Sequence, residues 1–340
     1  MLEREAVLDS AESALRDLSV IIVSTNEAHW VRQCLPTILE HAGNLDLDVI
    51  VVDNESTDGG PALIETEFPW ARVVPSKNRG FAHANNRGVM SANARYVLFL
   101  NPDTEILEGT FEDLVRFMDA HPSVGLLGVK QRTADRELVP TIRRFPTPWR
   151  AFWEALGSER FPFHGRWLGE RELRMEVYEQ EQLCDWTSGS FMLARREALE
   201  SGGLMDERFF IYSEEPDLSL RMKQAGWETR HVPSMTILHH FDKAGVSPKL
   251  QAQDALARIQ YAQKHFSVGR RIGYRIALFI RYALRLALAL LPRGDRELRA
   301  KRRAAFRWAL SILFGRGELP FGDPPDQAVQ IREPSKTIRP

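Results

Sequence analysis

Residues 97–103 read Val-Leu-Phe-Leu-Asn-Pro-Asp, four apolar residues followed at once by Asn101, Pro102 and Asp103. The run predicts a buried strand whose C-terminal end presents Asn101 and Asp103 to an open cleft. The C-terminal ends of strands are where α/β sheets bind ligands. A carboxylate at such an end suits a hard divalent cation that also binds a diphosphate. Taken alone, the run fits equally well a strand that ends in an Asn-Pro turn.

The residues around this run alternate between strand and helix patterns. Buried-strand runs lie at 18–24, 48–53, 71–75 and 96–100, and helical patterns lie at 30–41, 59–68, 81–93 and 110–121. This alternation predicts an α/β fold with a mostly parallel sheet flanked by helices. Neither a GxGxxG motif nor a P-loop is present, so phosphates must be held in another way, for which a metal at Asp103 would serve.

Charge is distributed unevenly along the 340 residues, although the net charge is only −1. Residues 270–316 contain 13 Lys or Arg and 2 acidic residues, a net of +11, which leaves −12 for the remainder. This segregation predicts an anionic partner for the C-terminal part. The two cysteines, Cys34 and Cys184, form no disulfide framework, and with no secretory signal they predict a cytoplasmic protein. Three arginines interrupt residues 272–291, the best candidate for a membrane span.

Seven motifs in one order carry a family resemblance: VSTNE (23–27), VVDNESTDGG (51–60), NRGFAHANNRG (78–88), FLNPD (99–103), DWTSGSFML (185–193), DERFFIYSEEPDLSLR (206–221) and HH (239–240). Together they resemble the inverting family 2 glycosyltransferases with the GT-A fold. The likeness is greatest to the rhamnosyltransferase-like branch that builds bacterial cell-surface polysaccharides, and it covers residues 18–266. It implies transfer of a sugar, with rhamnose indicated, from a dTDP- or UDP-sugar donor to a lipid-linked or growing glycan.

The resemblance also implies a nucleotide site at the ends of the first strands. Its residues would be Thr25, Asn26, Glu27, Asp53, Asn54, Glu55, Arg79, Gly80, Asn85 and Asn101. Gly80 would let the backbone approach the diphosphate. Asp53 can instead cap the turn after its strand, although nucleotide contact is favoured. The family often has an aromatic residue at the place of Thr25, and a threonine cannot stack on a base.

A metal site is implied at Asp103, which would bind Mg²⁺ or Mn²⁺ between the two donor phosphates. Asn101 makes this motif less acidic than an Asp-x-Asp motif. In some relatives a histidine after a later strand completes the site, and His239 is favoured over His240. A structural histidine is the alternative.

Glu214, Glu215 and Asp217 form a second acidic centre. Inversion at an anomeric carbon needs a base that deprotonates the acceptor hydroxyl. The family pattern places this base at Glu215, with Asp217 next in line and Glu214 positioning the acceptor or the metal. The segment also fits an acidic helix start with Ser213 as the N-cap.

Residues Trp186, Ser188 and Gly189 would form the wall between donor sugar and acceptor. Trp186 could stack on a sugar or belong to the core. Between residues 131 and 183 the periodicity weakens and aromatics accumulate. We interpret this region as an irregular insertion with its own small aromatic core.

These features predict four segments: an N-terminal helical extension (1–17), a GT-A catalytic domain (18–268), basic amphipathic helices (269–316) and a flexible tail (317–340). The catalytic domain divides into a nucleotide-binding half (18–130) and an acceptor half (131–268). The basic helices are predicted to lie on an anionic membrane surface, at the inner face of the bacterial cytoplasmic membrane. Packing against the catalytic domain is the alternative, and the broad apolar face argues against nucleic acid.

Two other functions remain open from the sequence. A nucleotidyltransferase would need a basic, glycine-rich loop after the first strand, and residues 24–27 are neither basic nor glycine-rich. A catalytically inactive glycan-binding scaffold is kept open by Thr25, Asn101 and Glu215, where this chain departs from the family pattern.

Overall fold

The computed structural model describes residues 15–160, 168–241, 247–292, 295–316 and 318–322. The strands in these ranges are β1 (Arg16–Ser24), β2 (Leu47–Asn54), β3 (Ala71–Ser76), β4 (Ala94–Leu100), β5 (Thr104–Glu108), β6 (Val124–Arg132), β7 (Gln182–Cys184), β8 (Phe191–Arg195) and β9 (Glu228–His239). The α-helices are α1 (Ala28–Glu40), α2 (Gly60–Glu67), α3 (Phe81–Ser91), α4 (Phe111–Ala120), α5 (Pro148–Ala155), α6 (Arg196–Gly202), α7 (Glu214–Gln224), α8 (Pro248–His265), α9 (Val268–Leu290) and α10 (Arg296–Leu313).

All strands of the described residues join one sheet in the order β3-β2-β1-β4-β8-β6-β9-β5, and β7 pairs with β9. Strands β1 to β4, β6 and β9 run in one direction, whereas β5, β7 and β8 run antiparallel to their neighbours. The predicted mostly parallel α/β sheet is therefore confirmed. β1 is buried from Leu18 to Ser24, as expected for a central strand covered by helices on both faces.

The strand directions place several polar strand ends at one edge of the sheet. β1, β2, β4 and β9 end there at Ser24, Asn54, Leu100 and His239. Each predicted strand and helix of the first 130 residues is present within two residues of its predicted ends. The first segment needs correction, because Arg16 and Asp17 already belong to β1, and the rest of the expected N-terminal helix lies outside the described residues.

The C-terminal helices α9 and α10 pack on the rest of the chain. Their buried side chains share one core cluster with α8 and with Ala151 of α5, including Tyr274, Tyr282 and Phe306. Packing against the catalytic domain, which the sequence left as an alternative, is what the structure shows. None of the helices in the described part of the chain is long and apolar enough to cross a bilayer.

Not all arginines of α9 lie on the polar face expected of a basic amphipathic helix. Arg281 is turned inward and pairs with Glu154 of α5 at 3.1 Å. Arg275 donates to the Leu313 carbonyl, and Arg271 donates to the Phe266 carbonyl at 2.7 Å. Arg281 therefore joins α9 to α5, and Arg275 and Arg271 satisfy carbonyl groups at the ends of α10 and α8.

The predicted flexible tail also needs correction at its start. Residues 318–322 return to the body of the protein, where the Trp308 indole donates to the Glu318 carbonyl at 3.0 Å. The Phe321 ring stacks on Phe210, with ring centroids 4.1 Å apart. Residues 323–340 lie outside the described ranges.

Candidate active site

A cavity of about 460 Å³ opens at the edge where β1, β2, β4 and β9 end. Of the 18 residues that the sequence assigned to the site, 11 line it: Thr25, Glu27, Asn54, Gly80, Asn101, Asp103, Ser188, Gly189, Glu214, Glu215 and His239. The sheet therefore brings together residues separated by more than 200 positions in the chain, and it does so where parallel sheets bind ligands.

One end of the cavity is formed by Thr25 and Asn54, at the ends of β1 and β2. The Asn54 side-chain amide donates to the Thr25 hydroxyl at 3.1 Å, and its oxygen is buried without a hydrogen-bond partner. A buried acceptor without a donor is costly. This oxygen is therefore suited to receive an N–H or hydroxyl group from a nucleoside.

Three other predicted nucleotide residues build the supporting turn and do not line the cavity. The Asn26 oxygen accepts from the Thr57 backbone N–H at 2.7 Å, and Asp53 accepts from the Ser56 N–H at 3.3 Å. Glu55 accepts from the Asn78 N–H at 3.1 Å. Asp53 thus has the capping role that the sequence left as its alternative.

Gly80 is needed for a reason that differs from the predicted one. Its φ is +103°, and a Cβ added there would lie 2.7 Å from the Phe210 Cα. The neighbouring Phe81 N–H donates to the Phe210 carbonyl at 2.6 Å. Gly80 therefore lets the segment before α7 approach the start of α3.

Arg79 and Asn85 flank this contact but do not line the cavity. Arg79 is exposed to solvent. Asn85 is buried within α3, where its amide donates to the Phe81 carbonyl at 2.9 Å. Asn85, which the sequence assigned to the nucleotide site, therefore uses its side chain within its own helix.

Asp103 and His239, the two predicted metal ligands, meet in the cavity. The distance between His239 Nε2 and Asp103 Oδ1 is 3.2 Å, and His239 Nδ1 is buried without a hydrogen-bond partner. His240 turns away to pair with Glu105 and stack on Trp30. Within the described residues, no group of three or more His, Cys, Asp or Glu side chains forms a ready-made metal cage.

These two side chains fit a cation that takes its remaining ligands from a substrate. Mg²⁺ is commonly held by one or two protein carboxylates together with substrate phosphates and water. An oxygen and a nitrogen donor at contact distance also suit Mn²⁺.

The charge of the cavity supports the same conclusion. Its described lining includes the acidic side chains of Asp103 and Glu215. A bare diphosphate would be repelled by such a wall. A divalent cation at Asp103 and His239 would reverse that repulsion locally.

Glu214 and Glu215 start α7 with different surroundings. Glu215 lines the cavity, and its Oε1 accepts the Gly189 backbone N–H at 3.2 Å. Burial raises the pKa of Glu215, while hydrogen bonds and the charge of Arg143 oppose that rise. Burial and the negative charge of Glu215 raise the pKa of Glu214 well above its usual range. Of the two carboxyl groups, Glu214 therefore has the stronger tendency to keep its proton.

Asp217 is not available as a base, which corrects its prediction as second candidate. It is fully buried, and it contacts Arg221 at 2.9 Å, Lys264 at 2.6 Å and His265 at 2.7 Å. Burial alone would raise the pKa of Asp217, but the hydrogen bond from His265 and the two cations hold it below its usual range. Asp217 therefore fixes α7 to α8.

The loop between β7 and β8 forms one wall of the cavity with Ser188 and Gly189. A Cβ on Gly189 would lie 2.9 Å from the Glu215 carboxylate, so a glycine is needed for the loop to reach it. Trp186 is buried outside the cavity, and its indole donates to the Arg144 carbonyl at 2.9 Å. It therefore has the core role that the sequence left as its alternative. Ser213 precedes α7 with φ +70° and makes no side-chain cap.

Sequence reasoning missed an apolar end of the cavity, which is lined by Phe210, Tyr212, Leu250 and Phe321. Phe210 and Tyr212 lie inside a quoted motif, so their place near the acidic pair was a usable signal. Leu250 and Phe321 carried no such signal.

A second cavity, of about 620 Å³, lies at the other end of α7. It is lined by residues such as Arg143, Asp185, Lys223 and Trp227, and by none of the predicted site residues. The acidic pair lies at the start of α7 and this cavity lies at its C-terminal end, so the two are separate sites.

Comparison with known proteins agrees with this geometry. The sequence profile of glycosyl transferase family 2 matches residues 19–203. An N-acetylglucosaminyl-diphospho-decaprenol L-rhamnosyltransferase of Mycobacterium tuberculosis is 32% identical over 311 residues, which cover 88% of this chain and 98% of that protein. The rhamnosyltransferase WbbL of Escherichia coli is 23% identical over 65% of this chain and 82% of its own length.

Among solved structures, a mannosyltransferase of Pyrobaculum calidifontis in complex with GDP-Man and Mn²⁺ is similar in fold. It superposes with a TM-score of 0.54 at 17% identity, covering 93% of this chain and 94% of that one. The fold and the cavity thus define a sugar-transferring enzyme with the GT-A fold. The chain belongs to glycosyl transferase family 2, and it is a glycosyltransferase of the rhamnosyltransferase-like kind.

Proposed function

We propose that this glycosyltransferase moves a rhamnosyl group, with inversion, from a dTDP- or UDP-linked donor to a sugar carried on a polyprenyl diphosphate. The observation that carries the proposal is that one cavity holds both the Asp103–His239 pair and the acidic pair Glu214–Glu215. Such a cavity fits a nucleoside diphosphate only together with a divalent cation. The named relative from Mycobacterium tuberculosis supports the choice of sugar and acceptor.

The reaction requires a base on one side of the anomeric carbon and a leaving diphosphate on the other. Glu215 removes the proton from an acceptor hydroxyl, and the oxygen forms a bond to the anomeric carbon. The bond between that carbon and the diphosphate oxygen breaks with its electron pair on the diphosphate. The Gly189 N–H holds the Glu215 carboxylate in place, and Thr25 and Asn54 hold the nucleoside. When bound, Mg²⁺ or Mn²⁺ at Asp103 and His239 supplies positive charge to the leaving diphosphate.

The first test is binding of UDP and dTDP by calorimetry, with and without Mn²⁺. We expect one nucleotide to bind only when the metal is present. We expect Asp103→Asn to lose this metal-dependent binding. Asp46→Asn is the matched control, because its carboxylate is on the surface, where it pairs with Arg16. If neither nucleotide binds under any metal condition, the donor site is wrong, and a non-catalytic glycan-binding scaffold becomes the better account.

We further propose that α9 rests on the anionic inner face of the cytoplasmic membrane. Val268, Ile272, Ile276 and Phe279 are between 44% and 68% exposed. Their spacing of three or four residues places them on one face of the helix. Exposed basic side chains lie on α9 and on the following helix α10, at Arg270, Arg296, Lys301, Arg302 and Arg307. An apolar stripe with basic flanks is typical of interfacial helices, and the stripe makes nucleic acid an unsuitable partner.

Vesicle flotation tests this surface. The protein should float with phosphatidylglycerol vesicles and much less with phosphatidylcholine vesicles, and salt should weaken the association. Ile276→Asp should reduce the bound fraction, whereas Met90→Asp, an equally exposed apolar residue on α3, should not. Equal flotation with neutral and anionic vesicles, or none with either, would contradict the proposal.

A further inference from the structure

The cavity has two chemically different ends. The end at β1 and β2 presents Thr25 and Asn54, with amide and hydroxyl groups. A second part of the lining is apolar and consists of Phe210, Tyr212, Leu250 and Phe321, of which Tyr212 precedes the Glu214–Glu215 pair by two residues. Because the nucleoside is proposed to occupy the polar end, the apolar end is left for the other substrate.

The apolar end is assembled from three distant parts of the chain. Phe210 is fixed by its carbonyl, which accepts the Phe81 N–H at 2.6 Å. Phe321 arrives from the segment after α10 and stacks on Phe210 at 13° between ring planes. Leu250 comes from the first turn of α8. The C-terminal segment therefore completes a wall that the catalytic domain leaves open.

A lysine accompanies this wall. Lys249 Nζ lies 4.0 Å from the centre of the Phe321 ring, and its side chain is exposed. Among the described residues it forms no ion pair with a carboxylate. It is an exposed cation beside a cavity whose described lining contains no lysine or arginine. An anionic group of a substrate that leaves the cavity past Phe321 would meet Lys249.

We propose that Phe210, Tyr212, Leu250 and Phe321 form the acceptor subsite, which takes a pyranose linked to a diphosphate, with Lys249 binding the diphosphate. This inference rests on the proposed function, since it assigns the second substrate of the same site. Aromatic rings suit the C–H groups of a pyranose, because both surfaces are apolar and leave the hydroxyls free. One of those hydroxyls would then be presented to Glu215, which lines the same cavity.

The test uses the full chain with UDP or dTDP and Mn²⁺ bound, and measures acceptor binding by calorimetry. The probes are N-acetylglucosaminyl diphosphate carrying a short isoprenyl chain, and octyl N-acetylglucosaminide, which lacks phosphate. Phe321→Ala should weaken binding of both probes by about tenfold. Phe321→Leu, which keeps apolar bulk, should lose less. Phe314→Ala is the control, because Phe314 is exposed and lies outside the cavity.

Lys249→Met should weaken only the diphosphate probe, by about fivefold or more, and the loss should shrink at high salt. Lys301→Met is its control, an exposed lysine on α10. Nucleotide binding should be unchanged in every variant. Equal binding by Phe321→Ala and the wild type would overturn the subsite, as would a wild type that binds nucleotide but neither probe. Equal losses for both probes in Lys249→Met would overturn the diphosphate assignment. Loss of nucleotide binding in the wild type would instead contradict the proposed function.

Discussion

The contact between Gly80 and Phe210 predicts that Gly80→Ala damages both folding and catalysis. The new Cβ would lie 2.7 Å from the Phe210 Cα and 2.8 Å from its carbonyl carbon, where ordinary contact begins at 3.4 Å. Relief needs a backbone shift of roughly 0.7 Å or more. Phe210 precedes Glu215 by five residues, and Tyr212 and Ser213 between them already have positive φ. The shift therefore cannot be absorbed easily before Glu214 and Glu215, the pair that we propose to be catalytic.

The magnitude follows from two contributions. An L-residue at φ +103° costs about 1–3 kcal/mol, and a forced contact in a packed site costs about 1–3 kcal/mol more. We expect Gly80→Ala to lower the free energy of unfolding by about 2–6 kcal/mol. A displacement of this size at a catalytic group can lower the rate about 100-fold.

Gly226→Ala separates the two contributions. Gly226 has φ +96°, but no atom lies within 4 Å of an added Cβ. It should show only the backbone cost of about 1–3 kcal/mol and an unchanged rate of transfer. Urea unfolding gives the free energies, and sugar transfer at saturating donor gives the rates. Equal destabilisation by the two variants, with full transfer by Gly80→Ala, would refute the reasoning.

Two further predictions concern the acidic residues of α7. Because burial raises the pKa of Glu215 and a base must be ionised, transfer should fall as pH decreases through a value above the ordinary range for glutamate. Glu214→Gln imitates the protonated form of Glu214, so the fall in transfer at low pH should occur at the same pH as in the wild type. A shift of that pH, or loss of transfer, would contradict a protonated Glu214. Asp217→Asn leaves Arg221, Lys264 and His265 without their carboxylate, and should lower the free energy of unfolding by about 3–5 kcal/mol. Because the native pKa of Asp217 is lowered, its contribution to stability is present above the unfolded pKa and is lost as pH falls through the native one. Chemical denaturation across pH measures this, and equal stability of Asp217→Asn and the wild type would contradict it.

The central sheet could be predicted because its signals are local. Uninterrupted apolar runs such as those in β1, β2 and β4 occur where a strand is covered on both faces, and the polar residues that end them mark one edge of the sheet. The pairing of Asp103 with His239 followed from two motifs that each end a strand. For these elements, local sequence and global fold agree.

The remainder depends on partners that are remote in sequence. Nothing near Asp217 reveals that Lys264 and His265, almost 50 residues later, neutralise it. The sequence assigns Arg281 to a basic amphipathic helix. Its partner, Glu154, belongs to another helix more than 100 residues earlier, so the sequence near Arg281 does not reveal the pair. Phe321 sits in a proline-rich segment that is compositionally similar to a disordered tail, yet Phe210 offers it a stacking partner.

The most direct test of the central claim is sugar transfer by Glu215→Gln, with nucleotide binding measured on the same protein. The amide keeps the shape of the side chain and an oxygen for the Gly189 N–H, but it cannot accept the acceptor's proton. We expect metal-dependent nucleotide binding to be unchanged, and we expect the transfer rate to fall by about 100-fold to 10,000-fold. A Glu215→Gln variant that retains more than about a tenth of the wild-type rate would contradict the assignment of Glu215 as the base of the inverting reaction.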